Sequence, residues 1–195
     1  MARVLGISGL IGSGKSVVRE ALTVLYDMPC FDSDTVAKKA YFDQAVVREI
    51  ENLLGFSPVK SGQLDKIKLR EVLSDPQKKT ILEEIVHRTV AKHFEEWRDK
   101  QSSPWVCIES AILFTSGFNS LCDVTLSVEA PDEIRHQRVL QRDSGRSIAD
   151  LQKIEEMQAE EGRRQRGEAD IKIDNSGTTS ISRAVEALWE RITNI

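Results

Sequence analysis

At 195 residues the chain holds little more than one domain of ordinary size, with room for an appended lobe. It is 40% hydrophobic and 30% charged, with too little Gly and Pro for a linker or low-complexity protein, and its net charge of −4 argues against a protein-wide nucleic-acid-binding face. An anionic ligand must therefore be held by a local site. No apolar run reaches the length of about eighteen residues that a membrane span needs, and Arg3 and Gly6 break the short apolar start, so neither a membrane partner nor a signal peptide is expected. Cys30, Cys107 and Cys122 each lie in or beside a hydrophobic run with no C-x-x-C pairing, which predicts reduced cysteines in a cytoplasmic protein.

The first apolar run, Val4 to Ser8, is short and β-compatible, the pattern of a buried strand. After a glycine-rich turn, helical spacing begins at Lys15, with Val17, Val18, Ala21, Leu22 and Leu25 on one stripe. Further short apolar runs follow at Met28–Phe31, Trp105–Ile108, Val124–Val128 and Ile171–Ile173, with helical patterns between them. Strand alternating with helix predicts an α/β fold, a five-stranded parallel sheet between helices. From about Asp34 to Ser103 no convincing strand is visible, only helical segments. One of these opens at Ser74-Asp75-Pro76 with a cap and a first-turn proline. That is far more helix than a crossover needs, so residues 34–103 are expected to form an inserted helical lobe. Residues 135–168 are rich in arginine and glutamine and read as helix, turn, helix over a solvent-facing site, a lid.

Gly9-Leu10-Ile11-Gly12-Ser13-Gly14-Lys15-Ser16 fits G-x-x-x-x-G-K-[ST], with a strand before it and a helix after it. Small residues at Gly12, Ser13 and Gly14 let backbone N–H groups curl around a polyphosphate. The helix start adds its positive end through the N–H groups of Ser16 and Val17. Lys15 supplies a charge for the β- and γ-phosphates, and the Ser16 hydroxyl can ligate Mg²⁺. ATP and Mg²⁺ are the ligands this implies. Asp32-Ser33-Asp34 falls at the end of the second strand, where ligands of open α/β sheets bind. One carboxylate there can take a proton from an attacking hydroxyl; both can equally N-cap the next helix. Glu109, ending the third run, fits an acid touching the metal through water, or a strand-end carboxylate facing solvent. Arg138, Arg142 and Arg146 recur every four residues, which predicts one helix face able to close over a transferring phosphoryl group, or a merely solvated basic face. His87 sits at the edge of the long helix's apolar stripe.

Taken together these motifs resemble the dephospho-CoA kinase family, end to end. The resemblance rests on Ile11 to Ser16, on Asp32 and Asp34 followed by Val36-Ala37-Lys38, and on His87. It continues through Ile112-Leu113-Phe114 with Ser116-Gly117, Gln137-Arg138 with Gln141-Arg142-Asp143, and Ala169-Asp170 leading to Asp174-Asn175-Ser176-Gly177. The chain departs from the family pattern at Leu10, Arg88, Ala111 and Thr115. The resemblance implies transfer of the ATP γ-phosphate to the ribose 3′-hydroxyl of dephospho-CoA on a P-loop core with a helical substrate lobe and a lid, by a monomer or weak homo-oligomer. It implies Asp34 as general base and substrate contact, Lys15 as phosphate-binding lysine, Arg142 as lid arginine and His87 as a substrate contact. The nearest rivals are kinases of the shikimate-kinase or nucleoside-monophosphate-kinase type, whose Gly-Gly-Gly run after strand three, or proline in the loop, is missing here.

Overall fold

The computed structural model describes residues 1–194 and divides into two compact units, Met1–Phe31 with Lys100–Ile195 and Asp32–Asp99. In the first unit β1 (Arg3–Ser8) runs into the glycine-rich turn and α1 (Lys15–Tyr26), and β2 (Cys30–Asp32) follows. The chain then enters the second unit through α2 (Ser33–Ala40), α3 (Gln44–Leu54), a hairpin of β3 (Val59–Lys60) and β4 (Gln63–Leu64), α4 (Lys66–Ser74) and α5 (Pro76–Arg98). It returns through β5 (Trp105–Glu109), β6 (Val124–Glu129), α6 (Asp132–Arg142), α7 (Ile148–Met157), α8 (Ala159–Glu168), β7 (Ile171–Asp174) and α9 (Ile181–Thr193). The five long-range strands form one parallel sheet in the order β2-β5-β1-β6-β7, as the alternating pattern predicts.

Both faces of that sheet are covered. Leu5 and Ile7 of β1 turn to one face and meet Val18 and Leu22 of α1 and Val185, Leu188 and Ile192 of α9, all buried. The alternate residues turn to the other. A Cβ on Gly6 would stand 2.6 Å from Cys122 Sγ and 2.9 Å from Leu113, so only glycine fits under the segment after β5. The α1 stripe is narrower than the helical spacing suggests. Val17 and Leu25 are half exposed, and only Val18 and Leu22 of the helix are fully buried.

Two further expectations are corrected. Cys30 of β2 and Cys107 of β5 lie side by side with Cα atoms 4.5 Å apart and form a disulfide, so only Cys122 carries a thiol, pushed up to about 12 by burial. The two cysteines are 77 residues apart and become neighbours only through the strand order. The stretch read as strandless contains the β3–β4 hairpin. Its strands of two residues each are too short to show a period, and Ser61 and Gly62, both at positive φ, make the turn.

The second unit has its own core of Val46, Ile50, Leu69, Val72, Leu82 and Ile85 from α3, α4 and α5. Its helices are capped by aspartates: Asp43, Asp65 and Asp75 each accept backbone N–H groups of the first turn. No helix among the described residues is long and apolar enough to cross a membrane.

The entry to β7 is pinned by Asp170, whose carboxylate accepts from Thr125 N at 2.8 Å and Thr125 Oγ1 at 2.6 Å. These bonds hold its pKa below the usual aspartate value. A depressed carboxyl stabilises the fold above its unfolded pKa, and that contribution is lost as pH falls through the lower folded value. Asp170→Asn should therefore cost about 1 kcal/mol at neutral pH, after allowance for its exposure, and remove part of the acid-induced loss. Urea unfolding of both proteins at neutral and acid pH checks this; a difference that does not shrink on acidification would contradict it.

Candidate active site

The turn between β1 and α1 requires left-handed backbone at Gly12 (φ 79°) and Gly14 (φ 94°). It has no room for side chains there either, since a Cβ on Gly12 would strike the Arg135 carbonyl and one on Gly14 the Asn175 amide. Each outward carbonyl of the turn has a donor. Lys15 Nζ reaches back to Gly9 O at 2.6 Å, Ser13 N donates to Leu10 O at 3.0 Å, and Arg135 Nη1 donates to Ile11 O at 2.9 Å. Arg138 Nη1 lies 3.5 Å from both Gly12 O and Ser13 O, and Asn175 Nδ2 donates to Ser13 O at 2.8 Å. Gly14 O accepts from Val17 N and Val18 N at 3.0 and 3.2 Å, so the Val17 N–H closes the first helical turn. The Ser13 hydroxyl is buried, with no hydrogen-bond partner.

At the far end of the turn Ser16 Oγ donates to Glu109 Oε1 at 3.0 Å, and Arg19 Nη1 stands 3.2 Å from Glu109 Oε2. Glu109 is 8% exposed, so it is not a strand-end carboxylate facing solvent. Two hard oxygen donors side by side at the end of a phosphate loop suit Mg²⁺, which takes few protein ligands and completes its shell with phosphate and water.

The arginines predicted to share one helix face do not. α6 ends at Arg142, Asp143 is its C-cap, and Arg146 lies beyond it. Arg138 turns inward and donates to Asn175 O at 2.8 Å. Arg142 and Arg146 stay outside, both paired with Asp143 at 2.9 and 3.1 Å. The helix-turn-helix expected for this region is three helices, because Gln158 serves as C-cap of α7 and N-cap of α8 with no glycine or proline to mark the break.

Asp32 and Asp34 separate in role. Asp32 is the N-cap of α2 and accepts from Thr35 N at 2.9 Å and Thr35 Oγ1 at 2.8 Å, while Asp34 stands exposed in the first turn of that helix. His87 lies half-buried on α5, where burial lowers its pKa against the opposing pull of Glu83.

Sequence reading missed α8. That helix has no large apolar residue, yet it buries Glu161, Gly162 and Gln165. Glu161, 1% exposed, accepts from Ser8 Oγ at 2.8 Å, Phe114 N at 3.1 Å, Thr115 N at 2.8 Å and Thr115 Oγ1 at 3.0 Å. Gln158 Oε1 accepts from Ile11 N at 3.0 Å. Leu10 packs on Gly162, where a Cβ would stand 3.3 Å from its methyl. The one sequence signal was Gly162 set in a polar helix. Glu161→Ala would leave several buried donors unpaired, so it should cost about 3 kcal/mol. Chemical denaturation measures this, and a loss no larger than that of an exposed glutamate on the same helix, such as Glu160, would contradict it.

The sequence profile of the dephospho-CoA kinase family matches residues 3–180. A dephospho-CoA kinase of Porphyromonas gingivalis is 42% identical over 143 residues, 71% of this chain and 69% of that protein. A Thermus thermophilus protein of known crystal structure superposes with a TM-score of 0.81 at 32% identity, covering 100% of this chain and 98% of that one. Dephospho-CoA kinase from Campylobacter jejuni shares the fold, with a TM-score of 0.64 at 21% identity over 100% and 98% of the two chains.

Proposed function

The chain belongs to the dephospho-CoA kinase family, and we propose that its phosphate loop, Asp34 and Arg142 divide between them the transfer of the ATP γ-phosphate to the 3′-hydroxyl of dephospho-CoA. Its reaction is that of the family, an ATP-dependent phosphoryl transfer to an alcohol. The observation that carries the division of labour is the loop from Gly9 to Ser16, whose outward carbonyls are all engaged, leaving its inward face to a polyphosphate. Lys15 turns from Gly9 O to the β- and γ-phosphates, and Ser13 Oγ gains a phosphate oxygen as partner. Ser16 would hold Mg²⁺ directly, with Glu109 beside it able to do so through water. The ion, when bound, neutralises charge on the β- and γ-phosphate oxygens.

At the acceptor, the 3′-oxygen forms its bond to the γ-phosphorus as the bond to the bridging oxygen breaks and ADP leaves. The hydroxyl proton passes to a carboxylate. Asp34 is assigned that task, as the family resemblance implies, and Asp32 that of helix cap. Both oxygens of Asp32 accept hydrogen bonds from Thr35, and protonating a capping carboxylate would forfeit them. His87 is assigned to the substrate lobe as a contact rather than a base.

Arg142 supplies the guanidinium that spreads over the equatorial oxygens of the transferring group. Arg142→Ala should lower turnover by up to ~10³ with a smaller effect on ATP binding, and Arg146→Ala should do less. Equal small losses for both in steady-state assays would reduce them to a solvated basic surface.

Asp34→Asn keeps the size and one acceptor oxygen but removes the proton affinity. Turnover should fall by ~10²–10⁴, with dephospho-CoA binding little changed and circular dichroism intact. Asp32→Asn should cost helix stability before it costs rate. The deciding measurement is single-turnover transfer from ATP to dephospho-CoA in both variants. Near-normal transfer in Asp34→Asn would mean that positioning and Mg²⁺ suffice, and the opposite ranking would move the base to Asp32.

A further inference from the structure

Arg135 is buried, 3% exposed, and its guanidinium joins three elements. Nη1 donates to Ile11 O at 2.9 Å, while Nη2 donates to Asp132 Oδ1 at 2.8 Å and to Glu155 Oε1 of α7 at 2.6 Å. Glu155 Oε1 also lies 2.9 Å from His136 Nε2. A buried charge is tolerated only when paired and hydrogen-bonded, and here the pairing is complete enough to leave one arm for the loop.

The arm acts on a single peptide group. The carbonyl of Ile11 and the N–H of Gly12 belong to the same planar trans peptide and point in opposite directions. A donor that fixes Ile11 O on the α6 side therefore fixes the Gly12 N–H on the other side, toward the space where a phosphate would sit. On the preceding peptide, Gln158 Oε1 takes the Ile11 N–H. Gly12 itself can supply no side-chain packing to resist a flip of that peptide, and glycine at φ 79° has other backbone wells within reach.

We infer that Arg135 is a positioning residue for nucleotide binding: it sets the orientation of the Ile11–Gly12 peptide and, through Glu155, makes that orientation depend on where α7 is packed. Nothing in this role needs contact with ATP. The inference rests on the loop being the ATP site, which ADP titration of the unsubstituted protein tests separately; failure to bind there would sink that assignment and not merely this refinement.

The test is isothermal titration of ADP, steady-state kinetics and the ¹⁵N–¹H resonance of the Gly12 amide in Arg135→Gln, Arg135→Lys and Glu155→Gln. Arg135→Gln should weaken ADP binding and raise the KM for ATP about tenfold, with the KM for dephospho-CoA unchanged and the Gly12 amide displaced in nucleotide-free protein. Arg135→Lys should rescue little, because one ammonium cannot serve Ile11 O and Glu155 in the fork geometry. Glu155→Gln should weaken ADP binding in the same direction by about threefold. An unmoved Gly12 resonance with unchanged ADP affinity in folded Arg135→Gln would overturn the inference, as would an equal rise in KM for both substrates. Should Arg135→Gln not fold, Glu155→Gln decides: unchanged ADP affinity there overturns it, and weakened affinity with a displaced Gly12 amide upholds it.

Discussion

A loop that turns its amides inward must turn its carbonyls outward, and a buried carbonyl without a donor costs as much as a lost hydrogen bond. Everything around the phosphate loop answers that constraint. The carbonyls from Gly9 to Gly14 take their donors from Lys15, Ser13, Arg135, Arg138, Asn175 and the first amides of α1. The donors come from three separate stretches of chain, two of them more than a hundred residues away, so the loop is held by the folded unit and not by its own sequence alone. The loop keeps its shape because α6 and the residue after β7, Asn175, are where they are.

The same constraint accounts for the composition of the elements nearby. A sheet face packed against an apolar helix would leave Ser8, the Ile11 amide and the amides after β5 without partners. α8 meets them instead with Gln158, Glu161 and Gln165, and the one residue that must be small is Gly162, under Leu10. The amide and hydroxyl of Thr115 both go to Glu161, so the loop after β5 receives its carboxylate from α8. A protein of net charge −4 thus places two guanidinium groups behind the loop, Arg135 paired with Asp132 and Glu155 and Arg138 spent on backbone carbonyls.

What could be read from the sequence follows from what physics each feature obeys. The loop was legible because backbone at positive φ and close approach of α6 demand glycine at Gly12 and Gly14, a demand written in residue type. The strands were legible as short apolar runs because a parallel sheet buried on both faces tolerates little else. Burial of polar groups leaves no such mark. Glu161 and Gln165 look like solvent-facing residues until their partners, more than forty residues away, are folded onto them. The Cys30–Cys107 pair was hidden for the same reason, since it depends on β5 crossing between β1 and β2.

The arginine cluster shows the limit most sharply. Four-residue spacing treats Arg138, Arg142 and Arg146 as equivalents, but the helix stops at Asp143 and sorts them. Arg138, with Arg135 one turn before it, is committed to backbone carbonyls. Moving either would leave the loop's carbonyls unpaired and a guanidinium partly desolvated. Arg142 has a side chain 65% exposed and pairs with the neighbouring Asp143, which Arg146 shares. An exposed ion pair of that kind contributes little, so exchanging it for a phosphate oxygen gives up little. Arg135 and Arg138 are therefore costly to move and Arg142 is cheap, which is the physical ground for proposing Arg142, and not its inward-facing neighbours, for the transferring phosphoryl group.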